Sequence, residues 1–525
     1  MVPELELMLA LLTAVAVLAA IANRFNVPYP IFLVIGGLLL GLVPGLPVVA
    51  LEPDAVFLIF LPPILFSAAY FTSWRDFRAN ARPIGLLAFG LVLTTTAAVA
   101  AVSHALIAEM TWPVAFVLGA IVSPPDAIAA TTIFQRLRAP RRIVTILEGE
   151  SLVNDATALV ALRFAIAAVV TGSFSFGEAS LDFVLLIVGG VAIGLGIGWL
   201  LGRVIAYLDD PPIEIALTLL APFAAYLSAE TLGFSGVLAT VTSGLYFGRR
   251  AATALGAASR LQGESVWGFV IFVVNGLAFI LIGLQLPDVL DSLADRPVPA
   301  LLWHAAVIAL VVIVVRFLWV FPATYLPRRL SAGMRARDPY PSWRGVAVVS
   351  WSGLRGAVSL AAALSLPTVT DTGDPFPARD LILFFAFVVI LVTLVGQGLS
   401  LPWLMRRLGV ADDRAAEQEI LLARRSAAEA ALARLDEVLG EPWADSFDVA
   451  RFREAYEHDL EILPASLDLA EIDHDHVAAH GKLRHELQLA ERDAIIALRN
   501  SDAIGDDALD HVLRDLDLAA ERNAV

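Results

Sequence analysis

The chain has no cysteine, which excludes disulfides, thiolate metal sites and cysteine nucleophiles. Charge is scarce as well, since 17% of the 525 residues are Asp, Glu, Lys or Arg while 58% are apolar. A soluble protein needs more charge than this on its surface, so the composition excludes that class. The N-terminal segment carries Glu4 and Glu6 and no basic residue before its apolar run, which is the wrong charge for a cleaved signal peptide. We therefore expect the first run to be a retained membrane span.

Apolar runs of about 18 residues or more recur as far as residue 408, which is the length an α-helix needs to cross the hydrocarbon core of a bilayer. Barrel strands are shorter and alternate, so helices are indicated. The sequence predicts an all-α polytopic membrane protein with about 13 transmembrane helices. The predicted spans cover roughly residues 5–23, 28–45, 54–71, 83–107, 113–135, 143–170, 182–207, 211–229, 235–248, 265–286, 299–326, 344–368 and 379–405.

The net charge of −16 is unevenly distributed along the chain. Residues 1–408 hold 24 acidic and 24 basic side chains, whereas residues 409–525 hold 28 acidic and 12 basic ones. We therefore predict a transmembrane domain over 1–408 and an acidic helical domain over 409–525. Apolar residues at three and four spacing over 419–435, and again after Leu483, indicate helices in the second domain. Its acidity disfavours nucleic acid or anionic lipid as a partner of this domain. The lipid bilayer is the expected partner of the transmembrane domain.

The loop charges indicate an orientation. With thirteen spans, 19 of the 24 arginines in residues 1–408 fall in loops on one face and two on the other. Basic residues concentrate in cytoplasmic loops. We expect a cell-membrane protein with its N-terminus outside and its C-terminal domain in the cytoplasm.

An odd number of spans permits two six-helix repeats in inverted orientation, joined by a linker span. The fifth span is interrupted at Ser123-Pro124-Pro125-Asp126, and its counterpart seven crossings later, the twelfth, at Ser352-Gly353-Leu354-Arg355-Gly356. Proline removes backbone donors and glycine loosens a helix, so both spans are predicted to break near the middle of the membrane. Such breaks are typical of transporter binding sites.

The sixth span holds the densest set of polar side chains. Ionisable groups there cost roughly 2.5 to 3.5 kcal/mol each, so each needs a partner or a function. Ser151 and Asp155 are four residues apart and share a helix face. Asp155 lies about 13 residues beyond Arg142, or roughly 20 Å along the helix, which places it deep in the bilayer. Burial disfavours the charged form of a carboxylate, so Asp155 can hold either a proton or a hard cation.

Sodium prefers oxygen ligands, and Asp126, Asp155, Ser151 and carbonyls freed by the broken fifth span can supply them. Proton and sodium would compete for this site, and alternate exposure of the site would then give exchange. Arg355 is expected to neutralise Glu150, because a buried guanidinium without a carboxylate would be costly and would repel cations. A potassium/proton exchanger is allowed by the same chemistry. A cation channel and an intramembrane hydrolase are remote alternatives, since no serine lies in a known nucleophile motif.

Four stretches carry a resemblance to a known family: Leu61–Phe66, Ser123–Asp126, Glu148–Asp155 and Trp351–Val358. In these stretches the chain is similar to the monovalent cation:proton antiporter superfamily, specifically its sodium/proton exchanger branch. The resemblance implies that Asp155, preceded by Asn154, carries the ion and the proton. An Asn-Asp pair, in place of the Asp-Asp pair of the electrogenic branch, implies electroneutral exchange of one sodium for one proton.

The same resemblance implies that Asp126 and Ser151 lie in the ion site, that Glu150 pairs with Arg355, and that the protein is a homodimer with an elevator-like motion. It implies no cofactor; Na⁺, with Li⁺ or K⁺ as possible substitutes, and H⁺ are the transported ions. Two departures affect the ion site. Ser67 stands where family members often have an acidic residue, and Pro125 stands where threonine is frequent, so that only the Pro125 carbonyl remains as a ligand. These changes are expected to affect affinity or the choice among alkali cations.

Overall fold

A computed structural model of the protein describes residues 2–25, 27–43, 53–137, 139–171, 176–410, 415–438 and 449–462, with the isolated positions 491, 494, 495 and 501. These residues form helices, and within them the only β-type pairing is a single bridge between Val369 and Pro375. The predicted all-helical class is confirmed.

The membrane domain contains, in chain order, α1 (Val2–Arg24), α2 (Tyr29–Gly41), α3 (Pro53–Phe71), α4 (Trp74–Ala79), α5 (Ala81–Leu106), α6 (Trp112–Val122), α7 (Ala127–Arg136), α8 (Arg141–Thr171), α9 (Phe176–Ile205), α10 (Pro211–Thr231), α11 (Gly236–Ala254), α12 (Ala257–Leu284), α13 (Leu286–Ser292), α14 (Val298–Leu330), α15 (Ala332–Arg337), α16 (Trp343–Trp351), α17 (Ala357–Leu364) and α18 (Arg379–Leu408). Within the described residues, eight helices are long and apolar enough to cross a membrane, and three shorter helices are apolar. The arrangement of thirteen spans in two inverted repeats stays a prediction.

Both predicted helix breaks are present. α6 ends at Val122 and α7 begins at Ala127, because Pro124 and Pro125 between them have no N–H to donate. α16 ends at Trp351 and α17 begins at Ala357. The two breaks meet, since the Asp126 N–H donates to the Leu354 carbonyl at 2.7 Å. Backbone groups that each helix leaves free are thus partly satisfied by the other break, as buried polar groups in lipid require.

Glycines allow two long helices to pack backbone to backbone. In α9, Gly190, Gly194 and Gly198 face α11, and a Cβ at Gly194 would overlap the Ala239 carbonyl. Because these contacts lie within one chain, the four-residue glycine spacing serves packing inside the monomer.

Two of the spanning helices contain a π-helical turn, Leu86–Leu91 in α5 and Val392–Gln397 in α18. A π turn widens the helix and leaves a carbonyl available for another donor. In α5 the Leu86 carbonyl accepts a hydrogen bond of 2.9 Å from the Trp319 indole of α14. In α18 the π turn includes Thr393, which contributes to the site described below.

The chain divides into two compact units, Met1–Asp412 and Asp413–Val525. Their boundary lies just after the neutral segment that ends at residue 408. Among the described residues of the second unit, the named helices are α19 (Ala415–Val438) and α20 (Val449–Ile462), and α19 contains the periodic segment 419–435. The helix predicted after Leu483 lies almost wholly outside the described residues. The functions assigned to the two domains stay predictions.

Candidate ion-binding site

Asp155 lies near the middle of the 31-residue helix α8, and 5% of its surface is exposed. Its neighbour Asn154 is fully buried. Helix α8 is long enough to cross a membrane, so its midpoint is the position farthest from water at either end. Asp155 forms no ion pair within the residues that the structure describes. No arginine therefore holds its carboxylate permanently in this structure.

The break between α6 and α7 is bonded to α8 on both sides. The Asn154 amide donates to the Pro125 carbonyl at 3.0 Å, and the Ala127 N–H donates to the Ser151 hydroxyl at 3.4 Å. Asp126 lies between these two contacts in sequence and is 8% exposed. Its carboxylate is close enough to Asp155 for the two to interact electrostatically.

The structure thus brings together the oxygen donors predicted from sequence: the carboxylates of Asp126 and Asp155, the Ser151 hydroxyl and the Pro125 carbonyl. A carbonyl and a hydroxyl each have a second lone pair, so the hydrogen bonds from Asn154 and Ala127 leave acceptor capacity for a cation. Hard oxygen donors of this kind suit alkali cations. No cluster of three or more His, Cys, Asp or Glu that could hold a resident metal occurs among the described residues, and Na⁺ here would be transported cargo.

Arg355 reaches this site from the second break. Its guanidinium donates to the Ser123 carbonyl at 2.6 Å, and its backbone N–H donates to the Thr393 hydroxyl at 3.1 Å. The side chain is fully buried, and the charged groups that act on it are Arg316, Glu150 and Asp155. A fixed positive charge therefore lies beside the two carboxylates without bonding to Asp155.

The prediction that Glu150 pairs with Arg355 was wrong. Glu150 instead forms a bidentate pair with Arg316 of α14, with Nη1–Oε1 at 2.6 Å and Nη2–Oε2 at 2.8 Å. The Arg316 Nε also donates to the Val349 carbonyl at 3.1 Å, and both side chains are at most 2% exposed. The Arg355 guanidinium instead donates from Nη1 to the Ser123 carbonyl. Spacing along the chain could not distinguish the two arginines.

Gly356 is needed for space beside the carboxylate. A Cβ built at this position would overlap the side chain of Asp126. The φ of Gly356, −148°, is not in the left-handed region, and the requirement for glycine comes from the close approach to Asp126.

Two residues near the site, Thr393 and Tyr29, were missed by sequence reasoning. Thr393 donates no charge to the site but its hydroxyl accepts from the Arg355 N–H of the second break, and its only signal was a hydroxyl in a mostly apolar span. Tyr29 of α2 is near enough to Asp126 to interact electrostatically, and nothing distinguished it from other tyrosines at helix ends. Ser67, noted as a departure from the family pattern, is buried and donates to the Ile64 carbonyl of its own helix at 3.1 Å.

A cavity of about 440 Å³ opens between α3, α8, α10 and α11. Its lining includes Leu159, one helical turn beyond Asp155, and Ser365 at the end of α17. The Arg163–Glu230 ion pair, 2.6 Å long, joins α8 to α10 in the wall of this cavity. The cavity thus provides space that extends toward the carboxylates from the side on which α8 and α10 end.

The family model described as sodium/hydrogen exchanger, transmembrane, matches residues 10–407. The chain belongs to this family of monovalent cation:proton antiporters. A Mycobacterium tuberculosis protein named as an uncharacterized Na⁺/H⁺ exchanger is 38% identical, with 99% of this chain and 96% of that protein covered. A Bacillus pumilus protein named as a sodium, potassium, lithium and rubidium/H⁺ antiporter is 36% identical, with 77% of this chain and 62% of that protein covered.

The structure of the sodium proton antiporter MjNhaP1 from Methanocaldococcus jannaschii at pH 8 is similar in fold. The match has a TM-score of 0.56 at 20% identity and covers 77% of this chain and 98% of that one. Membership of the exchanger family makes this chain a membrane transporter of the cation/proton antiport class and not an enzyme.

Proposed function

We propose that the protein exchanges one sodium ion for one proton through alternate occupation of Asp155. The observation that supports this is the meeting of two buried carboxylates, Asp155 and Asp126, at a broken helix that also offers the Ser151 hydroxyl and the Pro125 carbonyl. Sodium and proton then compete for the same site.

The charges around the site explain why ion exchange is favoured over uncoupled movement of one ion. With both carboxylates ionised, Asp126, Asp155 and Arg355 together carry one negative charge, whereas the Glu150–Arg316 pair is neutral by itself. One Na⁺ or one H⁺ therefore makes the site neutral, and the empty site stays charged. Moving a charged site through lipid is costly, so only the two occupied states cross readily. Coupling of one ion to one proton follows from this balance.

Asn154 has a positioning role in this mechanism. Its amide holds the Pro125 carbonyl at the broken helix, and it adds no second titratable group beside Asp155. The alternating exposure of the site is assigned to an elevator-like motion in a homodimer of the cell membrane, with the N-terminus outside and the C-terminal domain in the cytoplasm.

Proton flux in proteoliposomes tests the assignment of Asp155. We expect Asp155→Asn to abolish sodium-driven proton exchange while the dimer, measured by size-exclusion chromatography with light scattering, stays intact. The matched control is Asp371→Asn, in an exposed loop, which should exchange at the rate of the parent. Exchange at the parental rate in Asp155→Asn would overturn the assignment.

Competition between sodium and protons also predicts how the KM for sodium depends on pH. Below the pH at which Asp155 is half protonated, the apparent KM for sodium should rise about tenfold for each unit by which pH falls, with the maximal rate unchanged. A channel would instead carry current, and its sodium affinity would not follow this law. A KM for sodium that stays constant at every pH, including the acidic range in which exchange slows, would contradict the competition.

Potassium/proton exchange is the second candidate, favoured by the name of the Bacillus pumilus relative. Separate Na⁺, Li⁺ and K⁺ gradients across the same proteoliposomes decide between the two. Exchange driven by sodium and lithium but not by potassium supports the sodium proposal. Equal exchange rates with potassium would contradict it and favour potassium/proton exchange.

A further inference from the structure

We propose that a basic cavity at one end of the membrane domain binds a phosphate-bearing anion. The cavity measures about 760 Å³ and lies where α5 and α8 begin and where the segment after α14 turns back. We call it the arginine cavity. Its charged lining residues are Arg82, Arg142, Arg337 and Asp338.

Positive charge in the arginine cavity exceeds negative charge. Asp338 is shared, since one oxygen accepts from Arg142 at 2.7 Å and the other accepts from Arg328 of α14. Arg82 and Arg337 form no ion pair among the residues that the structure describes. Four guanidiniums and one carboxylate leave the group with a net charge of +3.

Arg82 supplies an independent sign of a missing acceptor. Its terminal Nη2 is buried and has no hydrogen-bond partner within the described part of the chain. A buried guanidinium N–H without an acceptor is unfavourable, and native proteins satisfy nearly all such groups. The neighbouring Arg142 is fixed by the Asn80 side chain at 3.2 Å as well as by Asp338. The cavity therefore presents positioned donors and too few acceptors.

Phosphate is the ligand chemistry that these donors fit best. Guanidinium forks bind phosphate oxygens in pairs, and a phosphate group brings one or two negative charges that offset part of the excess. The cavity is also large enough for a phosphate with an attached group. Since Arg82 and Arg142 stand in the first turns of spanning helices, the cavity lies at the level of a membrane surface. The headgroup of an anionic lipid and a soluble polyphosphate can both reach that level, so the test separates these sources.

The inference stands apart from the exchange reaction, because none of its residues lies in the ion site. Full-length protein in nanodiscs of neutral lipid would be titrated with pyrophosphate by calorimetry. In parallel, protein in nanodiscs containing phosphatidylglycerol would be washed and its retained lipid phosphorus measured. The test variant is Arg82→Gln with Arg337→Gln, and the matched control is Arg406→Gln with Arg407→Gln, which removes two exposed arginines from the end of α18.

We expect the test variant to weaken binding of one probe about tenfold or more and the control to leave it unchanged. Loss of pyrophosphate binding assigns the cavity to a soluble phosphate, and loss of retained phosphatidylglycerol assigns it to a lipid headgroup. Absence of binding in the parent with both probes, or an equal loss in the control, overturns the proposal. Parental sodium/proton exchange in the test variant shows that it is folded.

Discussion

Charged side chains buried in the membrane domain form two groups with different properties. Glu150 and Arg316 satisfy each other by two hydrogen bonds and have no net charge. Asp126, Asp155 and Arg355 interact without forming such a closed pair. The first group can stabilise the fold without an ion, whereas the second keeps capacity for one cation. The structural role of Glu150 and the transport role proposed for Asp155 therefore belong to carboxylates only five residues apart on one helix.

Removing one member of the closed pair should destabilise the protein. Glu150→Gln leaves the Arg316 guanidinium buried without a counter-charge, and the expected loss is about 3 to 5 kcal/mol of unfolding free energy. The measurement is the unfolding transition of the purified protein in detergent. Asp76→Asn is the control, because its pair with Arg141 is exposed and should contribute less than about 1 kcal/mol.

A double-mutant cycle distinguishes the observed partner from the one expected from sequence. Combining Glu150→Gln with Arg316→Gln should recover much of the lost stability, since no uncompensated charge remains. Combining Glu150→Gln with Arg355→Gln should not recover stability, because the Arg316 charge stays buried without a partner. Stronger coupling of Glu150 to Arg355 than to Arg316 would contradict the observed pairing.

Gly356 gives a second prediction at this scale. In Gly356→Ala the added methyl group meets the Asp126 carboxylate, so the carboxylate must move from its place in the proposed cation site. We expect the apparent KM for sodium to rise at least tenfold, with expression and dimer formation preserved. Gly268→Ala, where a Cβ meets nothing within 4 Å, is the control and should bind sodium as the parent does. Unchanged KM in Gly356→Ala would show that Asp126 does not contribute to cation affinity.

How far the site could be predicted from sequence depends on the kind of contact. Asp155, Ser151 and Asp126 could be grouped in advance, because helix periodicity and a proline break act over a few residues. The choice of Arg316 over Arg355 depends on how α14 packs against α8, and local sequence carries no record of that packing. The same limit applies to Thr393, whose contact with Arg355 joins residues 38 positions apart.

At the scale of whole helices, the two breaks act as one unit. Proline and glycine predicted where each helix stops, but the hydrogen bond from Asp126 to Leu354 that joins the breaks is a tertiary contact. The Arg355–Ser123 bond is a second link of the same kind. These bonds, with those from Ser151 and Asn154 of α8, link both breaks and α8 at the candidate site.

The Arg163–Glu230 ion pair predicts how access to the cavity is controlled. It links α8, which carries the site, to α10, and an exposed pair of this kind contributes about 0.2 to 1 kcal/mol. Because the pair is formed in the structure that contains the cavity, we expect Arg163→Gln to lower the open fraction of the cavity, by a factor of up to about five. A single Ser365→Cys reports this cleanly, because the parent chain has no cysteine and Ser365 lines the cavity.

The measurement is the rate at which a membrane-impermeant thiol reagent labels that cysteine in sealed vesicles. Arg296→Gln in the same background is the matched control, since it breaks an exposed pair with Glu109 outside the cavity wall. Equal labelling rates in Arg163→Gln and in the control would show that the pair does not govern access.

For the whole molecule, composition separated the two units better than any motif. The neutral membrane domain and the acidic remainder differ because lipid excludes unpaired charge, whereas water does not. Described ion pairs of the second unit, such as Arg425–Glu429 and Arg434–Glu437, are exposed pairs three or four residues apart on one helix. Such pairs contribute little to stability, so the solubility of this unit is the main consequence of its charge.

The charge balance of the membrane domain predicts its response to voltage. A site that carries −1 when empty and is neutral with either Na⁺ or H⁺ moves no net charge in a complete one-for-one cycle. Exchange by the parent should therefore be insensitive to a potential of ±100 mV clamped with potassium and valinomycin. Net movement of one charge per cycle would change the free energy of the cycle by about 2.3 kcal/mol per 100 mV. This corresponds to a change of roughly fiftyfold in the equilibrium of exchange, which the flux measurement would detect.

Asn154→Asp tests the same charge balance by adding a negative charge to the site. A third carboxylate gives the empty site a charge of −2, so two protons are needed to neutralise it against one sodium ion, and the cycle should become voltage-dependent. The substitution also removes the amide that donates to the Pro125 carbonyl, so a lower rate is expected along with the new dependence. The decisive measurement is therefore made on the parent protein. Voltage-dependent exchange in the parent would mean that one ion does not neutralise the site. The one-for-one mechanism would then be wrong, whatever the result with the variant.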